Sequence, residues 1–230
     1  MTASKASANI RDFITPGQRV HLAGIGGVSM SSLAAVLHSM GVVVQGSDIS
    51  DGPSVEYLRS LGISVYIGHA TTNIAGAKCL IRSGAIHDDN PEVAAAREQG
   101  IPVFERAEAW GAFMLQYKNA ICIAGTNGKT TTAAMITHIF MEAQADPTVM
   151  IGGILPMLNS GYRVGHGDTI ILESCEYQNS FLYFSPTLAV ILNIDADHLD
   201  FFKDLDDIKA SFRHFAQSVP LDGHIITNMA

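Results

Sequence analysis

Ala120-Ile121-Cys122-Ile123-Ala124-Gly125-Thr126-Asn127-Gly128-Lys129-Thr130-Thr131-Thr132 decides how this 230-residue chain is read. Its apolar first part reads as a buried strand, and a helical pattern follows from Lys129 to about Met141. Strand, glycine loop and helix in that order form a phosphate cradle. Glycines let backbone N–H groups turn toward an anion, the helix N-terminus adds a partial positive charge, and Lys129 supplies a full one. The candidate phosphate-binding residues are Gly125, Thr126, Asn127, Gly128, Lys129, Thr130 and Thr131. The Thr130 hydroxyl stands where it can reach a phosphate-bound Mg²⁺. The common form of such a loop has glycine at position 123. Ile123 stands there, so this loop is a variant, shorter on its first side.

A second glycine loop lies upstream. Val20-His21-Leu22-Ala23 reads as a strand, and Gly24-Ile25-Gly26-Gly27-Val28-Ser29-Met30 opens a helix that Gly41 ends. The pattern is a dinucleotide-type fingerprint. Its last position is Ser29, not Gly or Ala, which weakens a nicotinamide reading. Asp48 closes the next strand, where a carboxylate takes ribose hydroxyls. The bland alternative is a tight strand–helix turn without a ligand. Position and context favour a nucleotide or sugar-nucleotide diphosphate site.

Around these loops, strands and helices alternate. Further strands are expected at 42–48, 63–67, 78–82 and 101–104, with helices at 53–61, 90–99 and 106–117. The pattern restarts near residues 118–120. Strands at 148–151, 169–173, 187–193 and 223–227 follow, with a loop or hairpin over 156–168. An amphipathic helix over 204–218 sets Leu205, Ile208, Phe212 and Phe215 on one face. The expected fold class is α/β. A lead-in (1–18, with a short helix at 9–13) precedes a Rossmann-like domain (19–118) and an incomplete P-loop-type ATPase domain (119–230). A second domain of four or five strands that stops on a strand leaves a sheet face or edge uncovered, as expected of the front part of a longer protein.

The formal charge of -8 argues against a nucleic-acid partner, which needs phosphate contacts from many cations. No apolar stretch reaches membrane-spanning length, and the polar first residues lack the apolar run of a secretion signal. Cys79, Cys122 and Cys175 are far apart and lie in apolar runs, without CxxC spacing. They read as core residues of a reducing compartment, the cytoplasm.

Glu173 and His198 both fall at the C-terminal ends of strands in the second domain, the edge where ligands of parallel α/β sheets gather. A carboxylate there, beside Thr130, suits an Mg²⁺ that bridges ATP phosphates. The bland alternatives are an exposed strand end for Glu173 and a cap or core histidine for His198. The nearby acids Asp195, Asp197 and Asp200 read as solvated turn chemistry.

Together, the Gly24–Met30 and Gly125–Thr131 loops, Glu173-Ser174-Cys175-Glu176-Tyr177 and Asn193-Ile194-Asp195-Ala196-Asp197-His198-Leu199-Asp200 resemble the Mur ligases of peptidoglycan synthesis. Ser83-Gly84-Ala85-Ile86 resembles a further block of that family, with Gly84 a departure. The resemblance runs from about Val20 to the end of the chain. It implies an ATP- and Mg²⁺-dependent ligase that phosphorylates the lactyl carboxylate of UDP-N-acetylmuramate and then adds L-alanine. Lys129 and the loop amides would hold the ATP phosphates. Thr130 and Glu173 would bind one Mg²⁺, and His198 would help place a second. Gly24, Gly26, Gly27, Ser29 and Met30 would cradle the UDP diphosphate, with Asp48, His69 and Ser83 on the uridine side. Members of the family carry a third domain that completes the amino-acid site, so the resemblance implies sugar-nucleotide binding without ligation by this stretch alone. A peptide-recycling ligase and a non-catalytic nucleotide-binding module are the alternatives.

Overall fold

The computed structural model describes residues 9–228, so residues 1–8 of the expected lead-in lie outside the described residues. The short helix expected at 9–13 is a single 3-10 turn, Ile10–Asp12, capped by the Asn9 side chain. The chain divides into two compact units between Ala109 and Trp110.

In the first unit β1 (Arg19–Ala23), β2 (Val43–Asp48), β3 (Ser64–Ile67), β4 (Cys79–Arg82) and β5 (Val103–Glu105) form a sheet ordered β3-β2-β1-β4-β5. Every pairing in it is parallel. The helices α1 (Val28–Ser39), α2 (Pro53–Ser60) and α3 (Pro91–Glu98) connect the strands. A fourth helix, α4 (Arg106–Met114), spans the division between the units. Strand β1 is central. Val20, His21, Leu22 and Ala23 are all buried, as a strand covered on both faces requires. Strand order reverses beside β1, which opens a crevice at its C-terminal end.

In the second unit β6 (Asn119–Ala124), β7 (Thr148–Leu155), β8 (Ser160–Arg163), β9 (Thr169–Glu173), β10 (Leu188–Ile191) and β11 (His224–Thr227) form a sheet ordered β11-β10-β6-β9-β7-β8. The four or five strands expected from the sequence are six in this sheet. Strand β7 runs on to Leu155, and β8 returns antiparallel against it from the stretch read as a loop or hairpin. Helix α5 (Lys129–Glu142) follows β6, and α6 (Leu205–Gln217) precedes β11. Ile121, Ile123, Val149, Ile151 and Ile171 make the core under α5. Ile208, Phe212 and Phe215 of α6 are buried, with Phe215 stacked 4.6 Å from Phe181, while Leu205 is half-buried. All of β11 is exposed.

Cys79 and Cys122 are buried, and burial pushes both thiols up to about 12. Cys175 is only half-buried, so it departs from the core reading. Among the described residues, no helix is long and apolar enough to cross a membrane.

Candidate functional site

Strand β6 lies between β9 and β10, and the loops that follow these three strands carry the second unit's chemistry. Gly128 caps α5 with φ 86°, a left-handed conformation that glycine adopts without strain. Asn193, just past β10, ties down the first half of the loop. Its carbonyl accepts from Thr126 N (3.1 Å), its side-chain oxygen from Asn127 N (2.8 Å), and its amide donates to Asn127 O (3.0 Å). Two loop amides are thereby occupied, which leaves the α5 N-terminus as the part that could receive an anion.

The Lys129 ammonium folds back into the loop. It donates to Gly125 O (2.6 Å), Thr126 O (3.1 Å) and the Glu176 carboxylate (3.1 Å), which uses its three hydrogens. Glu176 is buried, so this is a desolvated ion pair. One residue along, the Thr130 hydroxyl lies 3.0 Å from each Glu173 oxygen, and Gly152 N donates to Glu173 Oε2 at 2.6 Å. A hydroxyl and a carboxylate at a helix N-terminus are hard oxygen donors, a set that fits Mg²⁺. Glu176, Asp197 and His198 form a second group, with one potential ligand atom from each within 4.8 Å of the others. His198 sits at φ 52° with its ring 4.6 Å from Tyr177, whose hydroxyl donates to Asp200 Oδ2 at 2.9 Å.

The first unit holds a cleft of about 730 Å³ at the end of β1. Gly24, Gly26, Gly27, Asp48, His69 and Ser83 line it, so six residues picked from the sequence come together. Gly24 has φ 79°, and a Cβ there would lie 2.8 Å from Ser83 Oγ, so only glycine lets Ser83 approach the loop. Asp48 accepts from Gly26 N (2.9 Å) and Ser50 N (3.1 Å), so its carboxylate braces the loop as well as facing the cleft. Ser29 is half-buried and does not line the cleft. Met30 is buried in the core at 1% exposure, so only its backbone is available to a cradle. Its side chain follows the helical period of α1, a rule the loop motif hides.

Comparison with known proteins decides the family. A model described as the Mur ligase family catalytic domain matches residues 19–118, and one described as the Mur ligase middle domain matches residues 123–230. The chain belongs to the Mur ligase family. A UDP-N-acetylmuramate–L-alanine ligase of Lachnoclostridium phytofermentans is 47% identical over 216 residues, covering 94% of this chain and 46% of that relative. The same-named ligase of Caldicellulosiruptor bescii is 46% identical over 89% of this chain and 45% of its own length. This Mur ligase chain spans about half the length of the curated relatives it matches.

Among solved structures, the UDP-N-acetylmuramate–alanine ligase of Thermotoga maritima aligns with a TM-score of 0.82 at 31% identity, covering 91% of this chain and 48% of that one. The UDP-N-acetylmuramate:L-alanyl-γ-D-glutamyl-meso-diaminopimelate ligase of Neisseria meningitides aligns at 0.86 and 28%, covering 92% and 71%.

Sequence reading passed over three residues of this Mur ligase chain. Glu176 was quoted without a role, although a second acid three positions after Glu173 was a usable signal. Asn193, quoted in its block, and the buried Glu92, near a helix start, gave no local signal of the partners they meet.

Proposed function

We propose that this chain carries the sugar-nucleotide and ATP parts of a UDP-N-acetylmuramate–L-alanine ligase acting in the cytoplasm during peptidoglycan synthesis. In this reading residues 19–118 bind the UDP-sugar and residues 119–230 bind ATP. The observation that carries it is the pairing of Lys129 with Glu176 beside that of Thr130 with Glu173 at one helix N-terminus. That constellation suits a polyphosphate with its metal and goes beyond what a simple binding turn requires. The name shared by relatives at 46–47% identity, UDP-N-acetylmuramate–L-alanine ligase, supports the choice of substrates.

When bound, ATP with Mg²⁺ supplies a phosphoryl group to the lactyl carboxylate, and the amine of L-alanine then displaces phosphate from the acyl carbon. The chain's contribution is position and charge. The Lys129 ammonium would move from Glu176 and the loop carbonyls onto phosphate oxygens, and the α5 amides would hold the same anion. Thr130 and Glu173 would hold one Mg²⁺, and His198 would help hold a second. Gly24, Gly26 and Gly27 hold the UDP diphosphate, with Asp48, His69 and Ser83 around the uridine.

Calorimetric titration of the chain with UDP-N-acetylmuramate and with ATP–Mg²⁺ tests the reading. Saturable binding of each supports it, and binding of neither overturns it. The TM-score of 0.86 to the Neisseria ligase favours a second reading, in which a peptide is added in place of alanine. Labelled alanine against labelled tripeptide separates the two, with the chain joined to the remaining half of the Lachnoclostridium relative.

A further inference from the structure

Beneath the first unit's cleft lies a carboxylate that none of the roles above uses. Glu92, in the first turn of α3, has no exposure at all. Among the described residues no lysine or arginine donates to it; its hydrogen bonds come from neutral or histidine groups. Its Oε1 accepts from Asn73 Nδ2 at 2.7 Å. Around Oε2 stand Ser47 Oγ at 2.6 Å, His21 Nε2 at 3.1 Å and His69 Nδ1 at 3.2 Å. Ser47 and His21 are fully buried, whereas His69 reaches the cleft.

Counting hydrogens settles which ring nitrogen carries one. An ionised carboxylate only accepts, so the single Ser47 hydrogen goes to Glu92. Ser47 Oγ is then an acceptor toward its other neighbour, His69 Nδ1, 2.9 Å away. Nδ1 of His69 thus faces two acceptors and must bear the proton. On a neutral ring, Nε2 is left as an acceptor. His21 is arranged the opposite way. Its Nε2 meets Glu92 and carries the hydrogen, while its Nδ1 is buried without a partner. A hydrogen on that Nδ1 would have no acceptor to receive it, so the geometry sets the ring's hydrogen on Nε2.

We propose that Glu92 and Ser47 are positioning residues that hold His69 in its Nδ1–H form. They thereby present Nε2 to the cleft as an acceptor for an N–H or O–H group of the sugar nucleotide, and the same carboxylate holds His21 in the opposite, Nε2–H form. The ligand part rests on the proposed UDP-sugar reading; the tautomer part does not. A phosphate oxygen brings no hydrogen for Nε2 to accept, so His69 serves the base or sugar end of the ligand and not its diphosphate.

Long-range proton–nitrogen NMR correlation spectra of the full chain without ligand test the assignment directly. Nδ1–H on His69 together with Nε2–H on His21 is expected, and Nε2–H on His69 overturns the inference. Ser47→Ala and Glu92→Gln should each leave His69 in a mixture of forms and weaken UDP-N-acetylmuramate binding by about tenfold. Ser47→Ala serves even if Glu92→Gln fails to fold. A folded Ser47→Ala chain with unchanged tautomer and affinity overturns the positioning role. If wild-type His69 shows Nδ1–H but UDP-N-acetylmuramate does not bind, the functional reading fails while the tautomer assignment stands.

Discussion

The two glycine loops of this chain solve one geometric problem with opposite electrostatics. Each follows a central parallel strand and opens a helix, β1 into α1 and β6 into α5. The first loop is braced by an acid, Asp48, on the Gly26 amide, and no lysine stands in it. The second is braced by a neutral amide, Asn193, and carries Lys129 paired to the buried Glu176. A loop that only holds a diphosphate can be served by amides and a helix N-terminus. A loop that must stabilise charge moving between phosphate oxygens needs a full cation and metal donors near it. In the proposed reading, the difference in bracing tracks a difference between holding and reacting.

Four predictions break or sharpen this contrast, and all but the last rest on the proposed function. Lys129→Ala should have the largest effect, a loss of about 100-fold or more in ATP–Mg²⁺ affinity. It also leaves Glu176 buried and unpaired, costing about 3 kcal/mol of stability. The double variant Lys129→Ala/Glu176→Gln should recover the melting temperature but not ATP binding. Recovery of both would remove the second loop's claim to a needed cation.

Glu173→Gln should come next and weaken Mg²⁺ affinity, raising the Mg²⁺ concentration for half-maximal ATP binding about tenfold. Asp48→Asn keeps the side chain's size, removes its charge and leaves either Gly26 N or Ser50 N without its acceptor. It should weaken UDP-N-acetylmuramate by about tenfold or less in titration calorimetry. A larger loss than that from Lys129→Ala on ATP would invert the comparison.

The smallest effect is on acid stability. Burial alone would raise the Glu92 carboxyl, but donors from His21, Ser47 and Asn73 outweigh it and bring it from 4.5 down to about 2. A depressed carboxyl stabilises the fold above its ordinary range, and that contribution is lost as pH falls toward 2. Melting temperature should therefore fall from about pH 4.5 downward, and Glu92→Gln should flatten that slope.

Legibility followed locality. Both loops, Lys129, Thr130 and Glu173 were readable because strand, turn chemistry and helix start are contiguous. Asp48, His69 and Ser83 were picked from scattered positions with the help of the family resemblance, and the cleft gathers them. Glu176 and Asn193 act only because β9 and β10 flank β6, and sheet order is written in no local window. Glu92 was legible as a residue near a helix start but not as a buried hub, because its partners come from β1, β2 and the chain after β3. The Met30 side chain is buried, as helical periodicity and not the loop motif foretells, which leaves only its backbone for the cradle. Asp197, read as turn chemistry, shares a group with Glu176 and His198.

The Asn193 tether has one further consequence. Three hydrogen bonds fix the backbone of Thr126 and Asn127 before any ligand arrives. The entropy of ordering that segment is lost once, when the protein folds, and not again at each encounter. In the proposed reading, polyphosphate capture at this loop then asks the Lys129 side chain to leave Glu176 and the loop carbonyls, and asks no closure of the loop itself.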